Sequence, residues 1–463
     1  MPEVDLVRDV VVLGGGSGGY ATALRVTQLG LSVALVEVDK VGGTCLHRGC
    51  IPTKAMLHSG EVADAVRSAA GVGVLAQLDG VDLTGVRSYR DGVVNRLHRG
   101  LAGLLRGRNV DVVAGRGRIV EVTTSTVVVE VDGRRVTGRH LVLATGSRPR
   151  WPAWATPGPR VLDSDGALAL ESIPARLAVL GGGVIGVEMA SLWRSLGAAV
   201  VLVEAAERLV AAEEPAVSAA LAKALRARGI TVVTGAPVAA VTEREDAVEI
   251  EVDGERHTVD VAIVAVGREP VTTGLGLEEA GVRTEGGFVV VDERLHTNVP
   301  RVWAVGDLVT GYALAHRAFA HGIAVAERIS GADPVAVPEH HIPRVTYSDP
   351  EIASVGLTTA AAQALHGAEN VTATTYPLGG NGRSQILGTS GFVHMVRLTD
   401  GPVIGVHAIG SRMGEQVGQA QLLVGWEAHP EDAAPHLAAH PTQNEALGEA
   451  ALALAGKPLH AHS

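Results

Sequence analysis

The chain has two cysteines among its 463 residues, and they stand five positions apart, as Cys45 and Cys50 in GGTCLHRGCIPTK. Scattered at random in a chain this long, two cysteines would fall so close roughly once in fifty cases. Two neighbouring thiols can close to a disulfide and reopen, and the thiolate form is the nucleophile in each exchange. Lys54 lies one helical turn beyond Cys50. A lone lysine is a surface residue by default, but beside a thiol pair an ammonium group favours negative charge.

The elements that must hold this pair are set by a repeat. Residues 11–37, VVLGGGSGGYATALRVTQLGLSVALVE, align without a gap to residues 178–204, AVLGGGVIGVEMASLWRSLGAAVVLVE. Each copy reads as an apolar strand, G-x-G-x-x-G, a helix, a second apolar strand and a closing Glu. The glycines are Gly14, Gly16 and Gly19, then Gly181, Gly183 and Gly186; the acids are Glu37 and Glu204. In such a unit the first Gly makes the tight turn and the second lets backbone N–H groups reach a pyrophosphate. The third lets the helix pack on the strand, and the terminal carboxylate binds a ribose hydroxyl. One copy would be weak evidence in a chain with 58 glycines; the whole unit twice is strong. Two units imply two dinucleotides, and the pairing that exchanges a hydride is a flavin with a nicotinamide cofactor. Glu204 would repel a 2′-phosphate, and Ala205 and Ala206 follow it without an arginine pair, so NAD is favoured over NADP; Arg208, a turn away, is the one nearby cation.

Turns punctuate the rest. HLVLATGSRP (140–149) and VAIVAVGREP (261–270) each read as an apolar strand ending in a Gly turn and then Pro, and TNVPRVWAVGDL as a strand closing on Gly306 and Asp307. From about residue 342 the pattern changes to antiparallel strands, with helices from about Gly414. The expected fold class is therefore α/β: two Rossmann-like dinucleotide-binding domains and a C-terminal α+β domain. KPLHAHS reads as a frayed tail, with metal binding by His460 and His462 the less favoured alternative. The net charge of −11 argues against nucleic acid as a partner, and the most apolar long stretch carries Glu188 and Arg194, which suits a buried strand and helix better than a membrane span. The N-terminus reads as a first strand rather than a leader, so a reducing, cytoplasmic setting and a redox-active thiol pair are expected. No metal is expected.

With these motifs in hand, the chain resembles the flavin-dependent pyridine nucleotide–disulfide oxidoreductases from its first strand to about Glu445. GGTCLHRGCIPTK resembles the redox-active segment, ATG (144–146) and VGD (305–307) resemble flavin-contacting segments, LAH (314–316) the start of a helix aimed at the flavin, and HPTQNE (440–445) the segment carrying a catalytic base. Within that family the resemblance is strongest to members that oxidise protein-bound dihydrolipoamide.

The resemblance implies residues 1–149 as an FAD domain, 150–270 as an NAD domain, 271–341 as a segment completing the FAD site, and 342–463 as a dimerisation domain. It implies FAD contacts at Gly14, Gly16, Gly19, Glu37, Gly43, Thr44, Cys45, Lys54, Gly117, Thr145, Gly146, Asp307 and Ala315. NAD contacts are implied at Gly181, Gly183, Val184, Ile185, Gly186, Glu204, Val238 and Gly267. Cys45 would exchange with substrate and Cys50 pass electrons to the flavin. His440 would act as base, oriented by Glu445, across a homodimer interface, and the His440–Pro441 bond is expected to be cis. Lys54 would pair with Glu188, whose counterpart in the first copy is Ala21 and whose buried charge needs a partner. His316 and His321 read as packing or surface residues.

Implied partners are the lipoyl domains of 2-oxoacid dehydrogenase or glycine-cleavage complexes. Two departures stand out. His47-Arg48 occupies positions where relatives often carry Asn-Val, and Arg48 could lower the thiol pKa values; Ala438 replaces an earlier His. A rival enzyme is an NADPH-dependent glutathione- or mycothione-type reductase, separated by Glu204. A rival of another class is a docking subunit of a lipoyl-bearing assembly, which would be expected to have lost a cysteine or the base. Mercuric reductases and large thioredoxin reductases need further cysteines near the C-terminus, which this chain lacks.

Overall fold

Strands that are apolar on both faces belong inside a parallel sheet covered by helices, and each fingerprint opens with one. In the computed structural model, which describes residues 5–460, Val10 to Leu13 at the end of the Leu6–Leu13 strand and Leu177 to Leu180 in the Arg176–Leu180 strand are at most 3% exposed. The chain divides into two compact units. One runs to residue 55 and adds 84–150 and 267–337; the other comprises 56–83, 151–266 and 338 onward.

In the first unit a seven-stranded sheet has the order Asp111–Ala114, Val33–Glu37, Leu6–Leu13, Arg134–Leu143, Val127–Val131, Gly117–Val122, with Val302–Ala304 also pairing with Arg134–Leu143. The fingerprint strand is parallel to both neighbours. The Ser17–Gln28 helix crosses the Ala315–Ile329 helix at very close range. A Cβ on Gly322 would lie 2.4 Å from the Gly18 carbonyl oxygen, so the crossing requires that small residue.

The second unit repeats the scheme. Its five-stranded parallel sheet runs Thr231–Val233, Ala199–Val203, Arg176–Leu180, Val261–Val264, Val161–Leu162, beside an antiparallel meander of Val238–Glu243, Val248–Val252 and Glu255–Val259. Beyond residue 342 a five-stranded antiparallel sheet orders as Arg344–Thr346, Glu351–Gly356, Val403–Gly410, Phe392–Leu398, Val371–Pro377. The helices Val417–Gly425, Pro430–Ala433 and Glu445–Leu454 follow. The fold class is as expected. The tail differs: His460 donates its backbone N–H to Glu449 at 3.1 Å and places Nδ1 2.8 Å from the same carboxylate, so it is held, not frayed. His462 lies outside the described residues. Among the described residues no helix is long and apolar enough to cross a membrane, and no group of three or more His, Cys, Asp or Glu is arranged to hold a metal.

A buried charged cluster joins the loop before the Pro215–Ala227 helix to this last sheet. Arg344 reaches Glu213 at 3.1 and 3.3 Å. His407, fully buried, must donate Nε2–H to the Leu357 carbonyl at 2.9 Å, because a carbonyl only accepts. Its Nδ1 is then a bare nitrogen without a hydrogen-bond partner, 4.0 Å from Glu213. His394 sits 3.7 Å from Glu214 and between the hydroxyls of Thr359 and Thr375, each at 2.8 Å. Burial pushes both imidazoles below 6.5, against the pull of the two carboxylates. Burial raises the Glu213 carboxyl, but Arg344 together with its other neighbours overcomes this and lowers it.

A histidine whose folded value is depressed contributes stability that is present above its unfolded value near 6.5 and is lost as pH falls toward the folded value. Stability should therefore drop between pH 7 and 5, by up to about 1.4 kcal/mol per pH unit from His407 alone. Melting temperatures across that range should fall more steeply for the natural chain than for His407→Gln.

Candidate active site

The two fingerprints fold alike. Gly14 has φ +106°, and a Cβ there would lie 2.4 Å from the Ala144 carbonyl oxygen; Gly181, at φ +114°, stands in the same relation to Ala265. A Cβ on Gly19 or Gly186 would strike the oxygen of the first glycine at 1.8 Å. The middle glycines face space instead: Gly16 has only a Gly43 Cα at 3.9 Å and Gly183 has nothing within 4 Å. Each caps a helix with no side-chain cap, so the leading amide groups there remain available to phosphate oxygens. Val184 and Ile185 form the first turn of the second helix.

Both acids are held the same way. Glu37 accepts the Gly15 and Asp39 N–H groups at 2.6 and 2.8 Å; Glu204 accepts those of Gly182 and Ala206 at 2.5 and 2.7 Å. A carboxylate has about four acceptor sites, so each retains capacity for a ribose diol. These cradles fit two dinucleotides. Arg208 is committed to the Glu213 and Ala211 carbonyls and the Ser218 hydroxyl.

The thiol segment sits against the first cradle. Gly42 and Gly43 adopt φ +112° and +60°, and a Cβ on Gly43 would lie 2.6 Å from the Gly16 Cα. Cys45 and Thr44 ride on the short Gly43–His47 helix; Cys50 is the first residue of the Cys50–Ser68 helix, whose positive end favours an anionic sulfur. The two thiols are adjacent. A hydrogen bond to Cys50, then burial, then the charge of Cys50 push the Cys45 thiol up, while Lys54 pulls it down. Arg48 reaches Asp39 at 3.2 Å, and Lys54 is a cation that lowers Cys45. His47 turns Nε2 to the Val41 carbonyl at 3.0 Å, a carbonyl that His98 also meets at 3.2 Å.

Other expected residues spread over both units. Asp307 lies in the Gly306–Leu308 turn and accepts the Ser147 hydroxyl at 2.6 Å. Ala315 starts its helix, Thr145 donates to the Val271 carbonyl at 2.7 Å, and Gly146 and Gly267 take φ +69° and +120°. Val238 begins a strand of the meander. Gly117 lies inside the first sheet, where a Cβ would meet Leu13 at 2.4 Å, so packing alone accounts for a glycine there. Glu188 is 4% exposed and accepts the Tyr347 N–H at 3.0 Å.

His440 and Glu445 come together as expected, at 2.8 Å between Nδ1 and Oε1, with Glu445 also accepting the Thr442 N–H at 2.8 Å; the His440–Pro441 bond is cis. Burial raises the Glu445 carboxyl, but the Thr442 amide and His440 overcome it and hold it below the usual range. It therefore stays ionised near neutral pH. Because a carboxylate only accepts, Nδ1 donates to Glu445, which turns Nε2 outward on a side chain that is 76% exposed.

The profile of the pyridine nucleotide-disulphide oxidoreductase family matches residues 8–322, and that of its dimerisation domain matches 342–451. The chain belongs to this family. Two similar relatives are dihydrolipoyl dehydrogenases of Bacillus subtilis strain 168 and Geobacillus stearothermophilus, each 38% identical over 460 residues, covering 98% of this chain and 97% of the relative. LpdA from Mycobacterium tuberculosis superposes with a TM-score of 0.90 at 25% identity, covering 97% of this chain and 99% of that one.

Among the residues near the thiols that sequence reasoning passed over, Tyr20 is the plainest. Burial and the two thiols push its phenol up to about 12. Comparing the repeats exposes it, since the second copy has Val187 at that place. His321, read as packing, places its ring by the Gly306 amide at 3.4 Å, and burial and Arg317 bring it down to about 4.

Proposed function

We propose that the chain is a dihydrolipoyl dehydrogenase, oxidising protein-bound dihydrolipoamide to lipoamide with FAD and NAD+. The observation that carries this reading is the His440–Glu445 pair, which leaves Nε2 free to take a thiol proton, in a chain that keeps both thiols. In the reaction Nε2 removes a proton from the substrate dithiol. The resulting thiolate attacks Cys45, breaking the Cys45–Cys50 bond and leaving Cys50 as thiolate. The second substrate sulfur attacks the first, closes the lipoyl ring and releases Cys45, which takes up that sulfur's proton, while the first proton stays on His440. The substrate loses two electrons and the disulfide gains two. Bound FAD supplies the two-electron carrier from the thiol pair to NAD+. Lys54 steadies negative charge at the thiols. Asp307, Thr145, Gly146 and Ala315 would hold FAD with the first cradle, within residues 1–149 and 271–341; the second cradle, within 150–270, would hold NAD.

The dimerisation domain supports a homodimer in which His440 of one protomer serves the thiols of the other. Lipoyl domains of 2-oxoacid dehydrogenase or glycine-cleavage complexes would be the substrates, in the cytoplasm. The deciding measurement sets dihydrolipoamide with NAD+ against glutathione or mycothiol disulfide with NADPH. Turnover in the first mixture is expected; turnover only in the second overturns the reading.

Nucleotide choice rests on the Glu204 charge. Glu204→Gln keeps the side chain's length and one of the two acceptors for the loop, yet removes repulsion of a 2′-phosphate. The ratio of kcat/KM for NAD+ over NADP+ should fall by about tenfold or more.

A further inference from the structure

Asp307 has no reason of its own to point one way. It sits in a three-residue turn and is only half-buried. The turn itself is braced by Arg317, 3% exposed, which donates to the Gly306 and Thr310 carbonyls. The carboxylate is braced from elsewhere. Ser147 Oγ lies 2.6 Å from Asp307 Oδ2, Arg268 Nε lies 2.7 Å from the same Ser147 Oγ, and Arg268 Nη2 lies 2.7 Å from the Ser147 carbonyl oxygen.

The proton order in this chain has one solution. A guanidinium only donates and a carboxylate only accepts. The single hydroxyl proton of Ser147 must therefore go to Asp307, and its lone pair must accept from Arg268. The bonds to charged groups at each end are of the stronger class, and the Arg268 fork grips one residue at two atoms. Ser147 and Arg268 are themselves fixed by an antiparallel ribbon, Ser147–Pro149 against Arg268–Pro270. Main-chain bonds close it at both ends, Val271 N–H to the Gly146 carbonyl at 2.9 Å and Arg150 N–H to the Gly267 carbonyl at 3.1 Å.

We propose that Ser147 and Arg268 are positioning residues for flavin binding, a proton-ordered relay that occupies Asp307 Oδ2 and aims Oδ1 at the ribityl hydroxyls of FAD. This deepens the function proposed above and rests on its reading of Asp307 as a flavin contact. The Ser147 hydroxyl matters through the bond it donates to Asp307 and the one it accepts from Arg268, so a threonine there preserves the relay and an alanine cuts it.

The test measures FAD affinity by reconstituting apoprotein and following the quenching of free-flavin fluorescence. The melting temperature of each apoprotein is recorded in parallel. Asp307→Ala is expected to weaken FAD by about 100-fold and Ser147→Ala by about tenfold. Ser147→Thr should stay within about threefold of the natural chain, and Arg268→Met, which leaves the ribbon's main-chain bonds in place, should weaken binding by about threefold to tenfold. In an Asp307→Ala background Ser147→Ala should add less than about twofold, because the relay acts only through that carboxylate. Apoprotein melting temperatures of the Ser147 variants should match the natural chain. A silent Ser147→Ala, or one whose effect survives undiminished without Asp307, overturns the relay while leaving Asp307 as a flavin contact. A drop in apoprotein stability that tracks the lost affinity also overturns it, as a weld of the ribbon and nothing more. A silent Asp307→Ala overturns the flavin-contact reading itself, and the relay with it.

Discussion

Cys50→Ser should abolish NAD+ reduction by dihydrolipoamide, by a factor on the order of 10⁴ or more, since removing one member of a group that acts as a unit costs nearly the whole effect. The substitution is close to isosteric, and a hydroxyl cannot form the disulfide that accepts the substrate's electrons. Cys50 begins a 19-residue helix, and serine is tolerated at a helix start, so the variant should fold and hold FAD. Electrons passing from NADH through bound flavin to an artificial acceptor need not visit the thiols. That partial reaction should survive in Cys50→Ser while dithiol oxidation does not. Joint loss of both would point to a collapsed flavin site and remove the support for Cys50 as an electron relay.

His440→Ala should slow dithiol oxidation by about 10²–10⁴-fold, the usual range for a positioned acid–base group. Within its own protomer the side chain is 76% exposed, so its removal deletes no core contact, and melting temperature and flavin absorbance should stay unchanged. Added imidazole should recover part of the rate by supplying a base in the space left behind. Falling stability without rate recovery would make the residue a support for the Glu445–Leu454 helix and not a base.

The parts of this molecule that repeat were legible in its sequence. Two copies of one strand–turn–helix unit identified both parallel sheets and both cradles, and Glu37 and Glu204 meet the amides of their own loops in the same manner. The adjacency of the two thiols followed from their spacing. Other features were hidden because they depend on contacts that no period encodes. Ser147, Arg268 and Asp307 are separated by 121 and 160 positions along the chain, and nothing local in SRP or GREP signals their meeting. The Val371–Pro377 strand lacks alternation, being exposed or half-exposed at all but Tyr376, so it passed unnoticed. Arg48 has a partner that the thiol motif did not suggest. Its guanidinium pairs with Asp39, nine positions back.

The way Glu204 is anchored limits how the coenzyme preference of such a protein can drift. The same carboxylate that favours an unphosphorylated ribose also ties Gly182 and Ala206 together. Exchanging it for a small residue strands two amides and slackens the loop under the pyrophosphate, so a lineage moving toward the phosphorylated coenzyme has to rebuild that anchorage before selectivity can change hands.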